Sequence, residues 1–410
     1  MSLPLDMGTT GLPYGSFSTS TSSDRHLGAA FGRSIIDLSA LAVDGAFGGA
    51  GSLVQGPDLH PLLEAGGDAW SEVRSSLRRA IADGRHEPHL VEASEATLHL
   101  PFVPGDYVDF YSSIEHATNL GRILRPDGEP LLPNWRHLPV GYHGRSSTVV
   151  VSGFPVLRPR GQTRPSPDNL PIFGPSRMLD FELEIGFITG SGPVGGAPIP
   201  LEEAEKHIFG IVLVNDWSAR DIQSWEYQPL GPFLSKSFAT SISPWVLPFE
   251  SLAGHRVVGP DQVPAPLPYL RATEPRGIDV SLEVALRTER MVAQGDEAVV
   301  ISSNSFAGMY WSMAQQLAHL TVNGASVRAG DLCASGTVSG PTPGSEGSLM
   351  ELTWRGTKPL TLPNGEMRSF LEDGDEVIMR GWCGDPTGGR ACLELGSVVG
   401  RIGAMEGSPS

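Results

Sequence analysis

The residues of this chain best equipped for chemistry fall within one stretch, Ile208 to Trp245. It brings one carboxylate (Asp216), one guanidinium (Arg220), one amide (Gln223), one phenol (Tyr227) and one ammonium (Lys236) close together. Their positioning rests on the elements around them. Ile208 to Val214 is a short apolar run rich in β-branched residues, which predicts a buried strand. Trp217 to Tyr227 then has a helical rhythm, with Asp216 or Ser218 placed to cap it. On that helix Arg220, Gln223 and Tyr227 share a face. Pro229 and Gly231-Pro232 end it, and Lys236 follows in a short segment. The plainer alternative is a strand–helix unit whose polar residues only cap and solvate.

Other reactive groups lie far away in sequence. Met178 to Ile188 (MLDFELEIGFI) alternates strictly, so Glu182 and Glu184 share one strand face. That face is either half-exposed or a cation site, since two sealed like charges need a counter-charge. Upstream, GDYVDFYSSIEHATNLGRILR carries Asp109, Tyr111, His116 and Arg125. Leu131 to Arg145 reads as a compact loop in which Tyr142, His143 and Arg145 could face a ligand. Thr337 sits in a Gly/Ser loop, Arg328 to Gly340. Glu351 is a charge inside the apolar run Leu349 to Trp354, read as a strand; it is either on a solvent face or held by an internal partner. Asp109, Glu182, Glu184 and Asp216 all sit near ends of expected strands. If they converge, all-oxygen ligation points to a hard cation, Mg²⁺ or Ca²⁺. Spacing does not prove that convergence.

Composition removes several function classes. The formal net charge is −17, which disfavours nucleic-acid binding and adhesion to anionic membranes. The three cysteines form no C-x-x-C pair, and a low, odd count suits a reducing cytoplasm. The opening MSLPLDMGTTG lacks a leader pattern, and no apolar run reaches the roughly 18 residues of a spanning helix. No Walker, G-x-S-x-G or H-E-x-x-H pattern occurs.

The 50 Gly and 35 Pro favour a loop-rich protein, mainly β with some α. Residues 1–104 read as one unit and 105–410 as a second. Ala29 to Leu38 predicts a hairpin. Asp68 to Ala82 predicts a helix capped by Asp68, and Asn304 to Leu320 a helix capped by Asn304. Ser147 to Ser152, Ile278 to Arg287, Asp373 to Arg380 and Glu394 to Ile402 predict strands, and the closing GSPS a frayed tail.

The runs DFYSSIEHATN, LLPNWRHLPVGYHGR, LDFELE, NDWSARDIQSWEYQPLGPFLSKSF, ASGTVSG and LMEL resemble, in order and with similar gaps, the fumarylacetoacetate hydrolase family. The resemblance extends from LPYGSFS at Leu12 to near Arg401. It implies an N-terminal SH3-like barrel and a larger C-terminal mixed β-roll that dimerises. It implies a divalent metal on Asp109, Glu182, Glu184 and Asp216, with Lys236 and Thr240 at a second cation position. It implies His116 as general base with Glu351 orienting it. Arg220, Gln223 and Lys236 match groups that stabilise a leaving carbanion; Tyr111, Arg125, Tyr142, Gln223, Tyr227 and Thr337 match substrate contacts. Ala239 departs from the Gly of many relatives. The implied reaction hydrolyses a carbon–carbon bond in a dianionic β-diketo acid, giving fumarate and acetoacetate. A rival is a superfamily hydrolase or decarboxylase for acylpyruvates, which need not carry the His116–Glu351 pair. A non-catalytic protein on the same fold would turn over no β-diketone.

Overall fold

A computed structural model describes residues 7–166, 168–193, 195–384 and 392–403. The closing GSPS lies outside them. The N-terminal part is a five-stranded antiparallel sheet, in the order Leu90–Glu92, Ser34–Asp37, Ser22–Phe31, Tyr14–Thr19 and Ala96–His99. Its central hairpin turns at Gly32 and Arg33, as the sequence predicts. The helix Gly67–Ala82 packs Val73, Leu77 and Ala80 into the same core. Gly66 rather than Asp68 occupies its N-cap; Asp68 lies in the first turn, where its charge meets the helix dipole.

The larger part is built on an eight-stranded mixed sheet. Its path runs Gly141–His143, Tyr107–Phe110, Leu332–Ala334, Leu183–Thr189, Ile208–Asp216, Thr240–Ile242 and Val149–Val151, with Leu247–Pro248 also pairing Ile208–Asp216. Every residue of Leu183–Thr189 and Ile208–Asp216 is buried. The two central strands are therefore covered on both faces, and the alternation at Glu182 and Glu184 does not mark a solvent side. A second sheet, Val299–Ser305, Ser281–Arg287, Glu376–Cys383, Leu393–Gly403 and Val156–Leu157, shares the principal core with the first.

Four local expectations are corrected. Leu349–Leu352 is a helical turn, not a strand: Ser348 caps it through the Glu351 N–H. Four residues are too few for a 3.6-residue period to show in the sequence. Asn304 lies within the strand Val299–Ser305 and caps no helix; its amide donates to the carbonyls of Val338 (2.7 Å) and Ser345 (3.2 Å). The helix there is Met313–Thr321, started by a capping box between Ser312 and Gln315. The helix after Asp216 begins only at Arg220, because Ser218–Ala219 pairs with Leu179–Asp180. Neither Asp216 nor Ser218 caps it, and tertiary pairing overrides local rhythm. Within the expected loops, Gly141–His143 and Leu332–Ala334 are strands of the main sheet.

Candidate active site and metal centre

Sheet register assembles the acids. Asp109 pairs with Ala334, which sits beside Gly186 across the next strand pair. Glu184 lies opposite Val214, and Asp216 opposite Thr240. Glu182 occupies the break between Leu179–Asp180 and Leu183–Thr189. The result is one cluster: a carboxylate oxygen from each of Asp109, Glu182, Glu184 and Asp216 lies within 4.8 Å of the others, and all four residues are buried.

Cationic side chains close one side. Lys236 Nζ donates to Asp216 Oδ2 (2.8 Å) and to Glu182 Oε2. Arg220 Nη1 reaches Glu182 Oε1 at 2.8 Å and Gln223 Oε1 at 3.2 Å, while its Nε pairs with Asp180. Tyr142 and Thr240 hydroxyls donate to Asp216, at 2.9 and 3.0 Å.

These partners leave the cluster unevenly charged. Burial opposes ionisation of Glu182, but the charges of Lys236, Arg220 and His116 outweigh it and hold this carboxyl below its ordinary range. Burial, then the Asp216 charge, pushes Asp109 well above its ordinary value. Burial and the Asp109 charge do the same to Glu184. Asp216 is raised by burial, against the pull of Lys236. Burial opposes the charged form of Lys236, yet Asp216 and Glu182 raise it above its usual value, so it stays an ammonium.

The donor set fits a divalent cation. All four contributors are carboxylates, and Asp109 Oδ1 and Glu184 Oε1 are buried without a hydrogen-bond partner. Buried polar atoms are seldom left so, and a dication would both satisfy them and supply the missing positive charge. The Lys236 ammonium has no lone pair to offer, and the Thr240 hydroxyl is turned to Asp216 as a donor. These two side chains thus serve the carboxylates, while the Thr240 oxygen keeps its lone pairs.

On the other side stands His116, on the helix Ile114–Leu124, which Ser113 caps. Its Nδ1 bonds Glu351 Oε2 at 2.6 Å, and both residues are buried. Of the two readings open for Glu351, an internal partner is the one observed. Glu351 also accepts from Asn119 Nδ2 (3.0 Å), Ser339 Oγ (3.0 Å) and Ser348 Oγ (2.8 Å). Burial would raise its pKa, but the His116 charge and these bonds lower it, so it accepts as a carboxylate. His116 Nε2 faces Glu182 Oε1 at 3.9 Å, beyond hydrogen-bond reach.

The remaining expected residues are placed unequally. Tyr111 packs edge-on against His116, with ring centres 5.3 Å apart. Thr337 is buried with its hydroxyl unpartnered, and so is Arg125 Nε, although Arg125 Nη2 donates to the Pro130 carbonyl (2.7 Å). Tyr227 is half-buried, and its hydroxyl accepts from Gln228 Nε2 (3.2 Å) rather than meeting the cluster. His143 and Arg145 are exposed, unlike their neighbour Tyr142. Ala239 is buried in the principal core.

Sequence reasoning passed over Asn119, Asp180, Ser339 and Ser348. Asn119 stands one turn after His116, and Asp180 continues the alternation of Glu182 and Glu184, so both carried a usable spacing signal. Nothing local distinguishes the two serines.

Comparisons with known proteins agree with this geometry. The family model described as fumarylacetoacetate (FAA) hydrolase C-terminal matches residues 107–402, and that described as fumarylacetoacetase N-terminal matches residues 10–101. The fumarylacetoacetase of Homo sapiens is 47% identical over 403 residues, covering 95% of this chain and 94% of its own. That of Arabidopsis thaliana is 45% identical over 407 residues, with the same coverage of 95% and 94%. Among solved structures, the fumarylacetoacetate hydrolase of psychrophilic Exiguobacterium antarcticum aligns with a TM-score of 0.52 at 16% identity. It covers 96% of this chain and 100% of its own, a likeness of fold alone.

Proposed function

The chain belongs to the fumarylacetoacetate hydrolase family, and on that premise we propose how it hydrolyses the carbon–carbon bond of fumarylacetoacetate to fumarate and acetoacetate. The observation that carries the reading is the His116–Glu351 pair at 2.6 Å facing the four-carboxylate cluster. With Nδ1 donating to Glu351, Nε2 is the nitrogen left to take a proton from water. The water oxygen bonds to a carbonyl carbon of the diketone. The adjacent carbon–carbon bond then breaks, and its electron pair leaves as the enolate of acetoacetate. Arg220, Gln223 and Lys236 meet that charge, and the proton held on His116 returns to the enolate carbon. Each preorganised donor of this kind is worth roughly 2.7–4 kcal/mol.

Asp109, Glu182, Glu184 and Asp216 would hold the divalent cation, Mg²⁺ or Ca²⁺, which supplies Lewis-acid polarisation of the diketone oxygens. Tyr111, Arg125, Tyr142, Tyr227 and Thr337 are the proposed substrate contacts. Among them Arg125 Nε and the Thr337 hydroxyl have polar capacity to spare. The rival acylpyruvate chemistry need not carry the His116–Glu351 pair, and the 47% identity to the fumarylacetoacetase of Homo sapiens across most of the chain favours fumarylacetoacetate. Incubation should release fumarate and acetoacetate in equal amounts. Cleavage of acylpyruvates with no action on fumarylacetoacetate would transfer the assignment to the rival.

We place the unit boundary at 104/105 and infer a homodimer formed through the larger unit. Exposed Leu170, Phe173, Leu230 and Phe233 support the latter. Light scattering should give twice the chain mass. A cytoplasmic setting accords with the buried thiols of Cys333 and Cys383. No helix among the described residues is long and apolar enough to cross a membrane.

A further inference from the structure

Asp180 is fully buried and belongs neither to the cation cluster nor to the His116–Glu351 pair. Its carboxylate nevertheless collects four donors. Oδ1 accepts from the N–H groups of Phe181 (2.8 Å) and Leu349 (2.7 Å). Oδ2 accepts from the Met350 N–H (3.0 Å) and from Arg220 Nε (2.8 Å). Leu349 and Met350 open the helical turn whose third residue is Glu351. A single carboxylate therefore grips both the guanidinium proposed to meet the leaving enolate and the backbone turn that aims Glu351 at His116.

The grip on Arg220 has a geometric consequence. A guanidinium is planar, so bonds at Nε and Nη1 fix the direction of Nη2. Arg220 Nη2 is buried and has no protein partner. It is an oriented donor held in reserve for a ligand atom.

We propose that Asp180 is a positioning residue that sets the base arm (His116–Glu351) and the leaving-group arm (Arg220) of the site relative to each other. This rests on the reading above and adds a coupling between its two halves. A plain buried ion pair would stabilise the fold without coupling them. Asp180→Asn separates the two cases. Its amide replaces one acceptor oxygen with an NH₂ group, which faces donors it cannot bond. The chain trace need not change, but one arm loses its anchor.

The experiment is a pair of double-mutant cycles on the full chain, loaded with Mg²⁺ and assayed with fumarylacetoacetate. Asp180→Asn should lower kcat by roughly tenfold or more and leave KM within about threefold. In the Arg220→Gln and Glu351→Gln backgrounds its effect should shrink, because each removes an arm through which Asp180 acts. Full multiplication of the single effects in either cycle overturns the proposal, since Asp180 then acts on one arm at most. So does a kcat loss that only tracks a loss of folded protein by circular dichroism. If Asp180→Asn does not fold, Asp180→Glu keeps the charge and displaces both anchors by one methylene; an unchanged kcat there also overturns it. An inactive wild type would instead remove the functional reading, so the two failures are distinguishable.

Discussion

His116 and Glu351 are 235 positions apart in sequence and 2.6 Å apart in space, and the proposed water activation depends on that bond. Replacing His116 with Ala should lower kcat by about 10²–10⁴-fold. Glu351 would keep its bonds to Asn119, Ser339 and Ser348, so the fold and cation binding should persist, with a melting temperature lowered by the lost buried bond. Stopped-flow turnover at wild-type rate would remove the base assignment. Asp216→Ala should instead lose the cation, measured by calorimetry with Mg²⁺ or Ca²⁺; undiminished binding counts against its ligand role. The raised carboxyls give a pH test. Burial, joined by the Asp216 charge at Asp109 and by the Asp109 charge at Glu184, lets these two carboxyls retain protons where ordinary carboxyls have lost them. A cation must displace those protons, so apparent affinity should rise with pH and binding should release protons. Titration in two buffers of different ionisation heat measures the release, and none would contradict the raised pKa values.

At the scale of elements, the legible parts were those with a long local signal. Ile208–Asp216 and Gly67–Ala82 are long enough for their patterns to show, and both stand where the sequence put them. The illegible parts were set by distant partners. The turn Leu349–Leu352 is held by Ser348 and by Asp180, 169 residues upstream of Leu349, and no local pattern records that. The four acids were nameable from their strand positions and the family resemblance. That they share one cluster is a fact of sheet register, through pairings such as Asp109 with Ala334 and Asp216 with Thr240. Gly336 tests this register. Its φ is +77°, its N–H donates to Glu184 Oε2 (3.2 Å), and a Cβ there would meet the Phe110 carbonyl oxygen at 2.3 Å. Gly336→Ala should cost roughly 1–3 kcal/mol and weaken cation binding by displacing Glu184. Unchanged thermal stability and affinity would show that the loop does not hold Glu184.

Across the whole molecule, the N-terminal part contributes no member of the acid cluster; it joins the catalytic part through a shared core that includes Phe209 and Val212, through the Tyr14–Val246 bridge and through the buried Arg74. Arg74 donates to the Leu12 carbonyl (2.8 Å), to the Gly11 carbonyl and to Ser251 Oγ (2.9 Å), and it pairs with Glu250 at 3.2 Å. Arg74→Met would leave two carbonyls without this donor, each costing about 1–3 kcal/mol. The melting temperature should fall while KM stays put; a changed KM would mean that the N-terminal part shapes the site directly. The chain's net charge of −17 bears on a dianionic substrate too, since local cations such as Arg125, Arg220 and Lys236 must work against the global field.

The central claim is that four carboxylates from three strand ends act as one cation site in the hydrolysis. Its most direct measurement is the rate of fumarylacetoacetate loss, followed by absorbance, before chelation, after it, and after Mg²⁺ or Ca²⁺ is returned. The account predicts turnover that disappears with the chelator and comes back with the ion. A full rate in protein shown by elemental analysis to be free of divalent metal would contradict it.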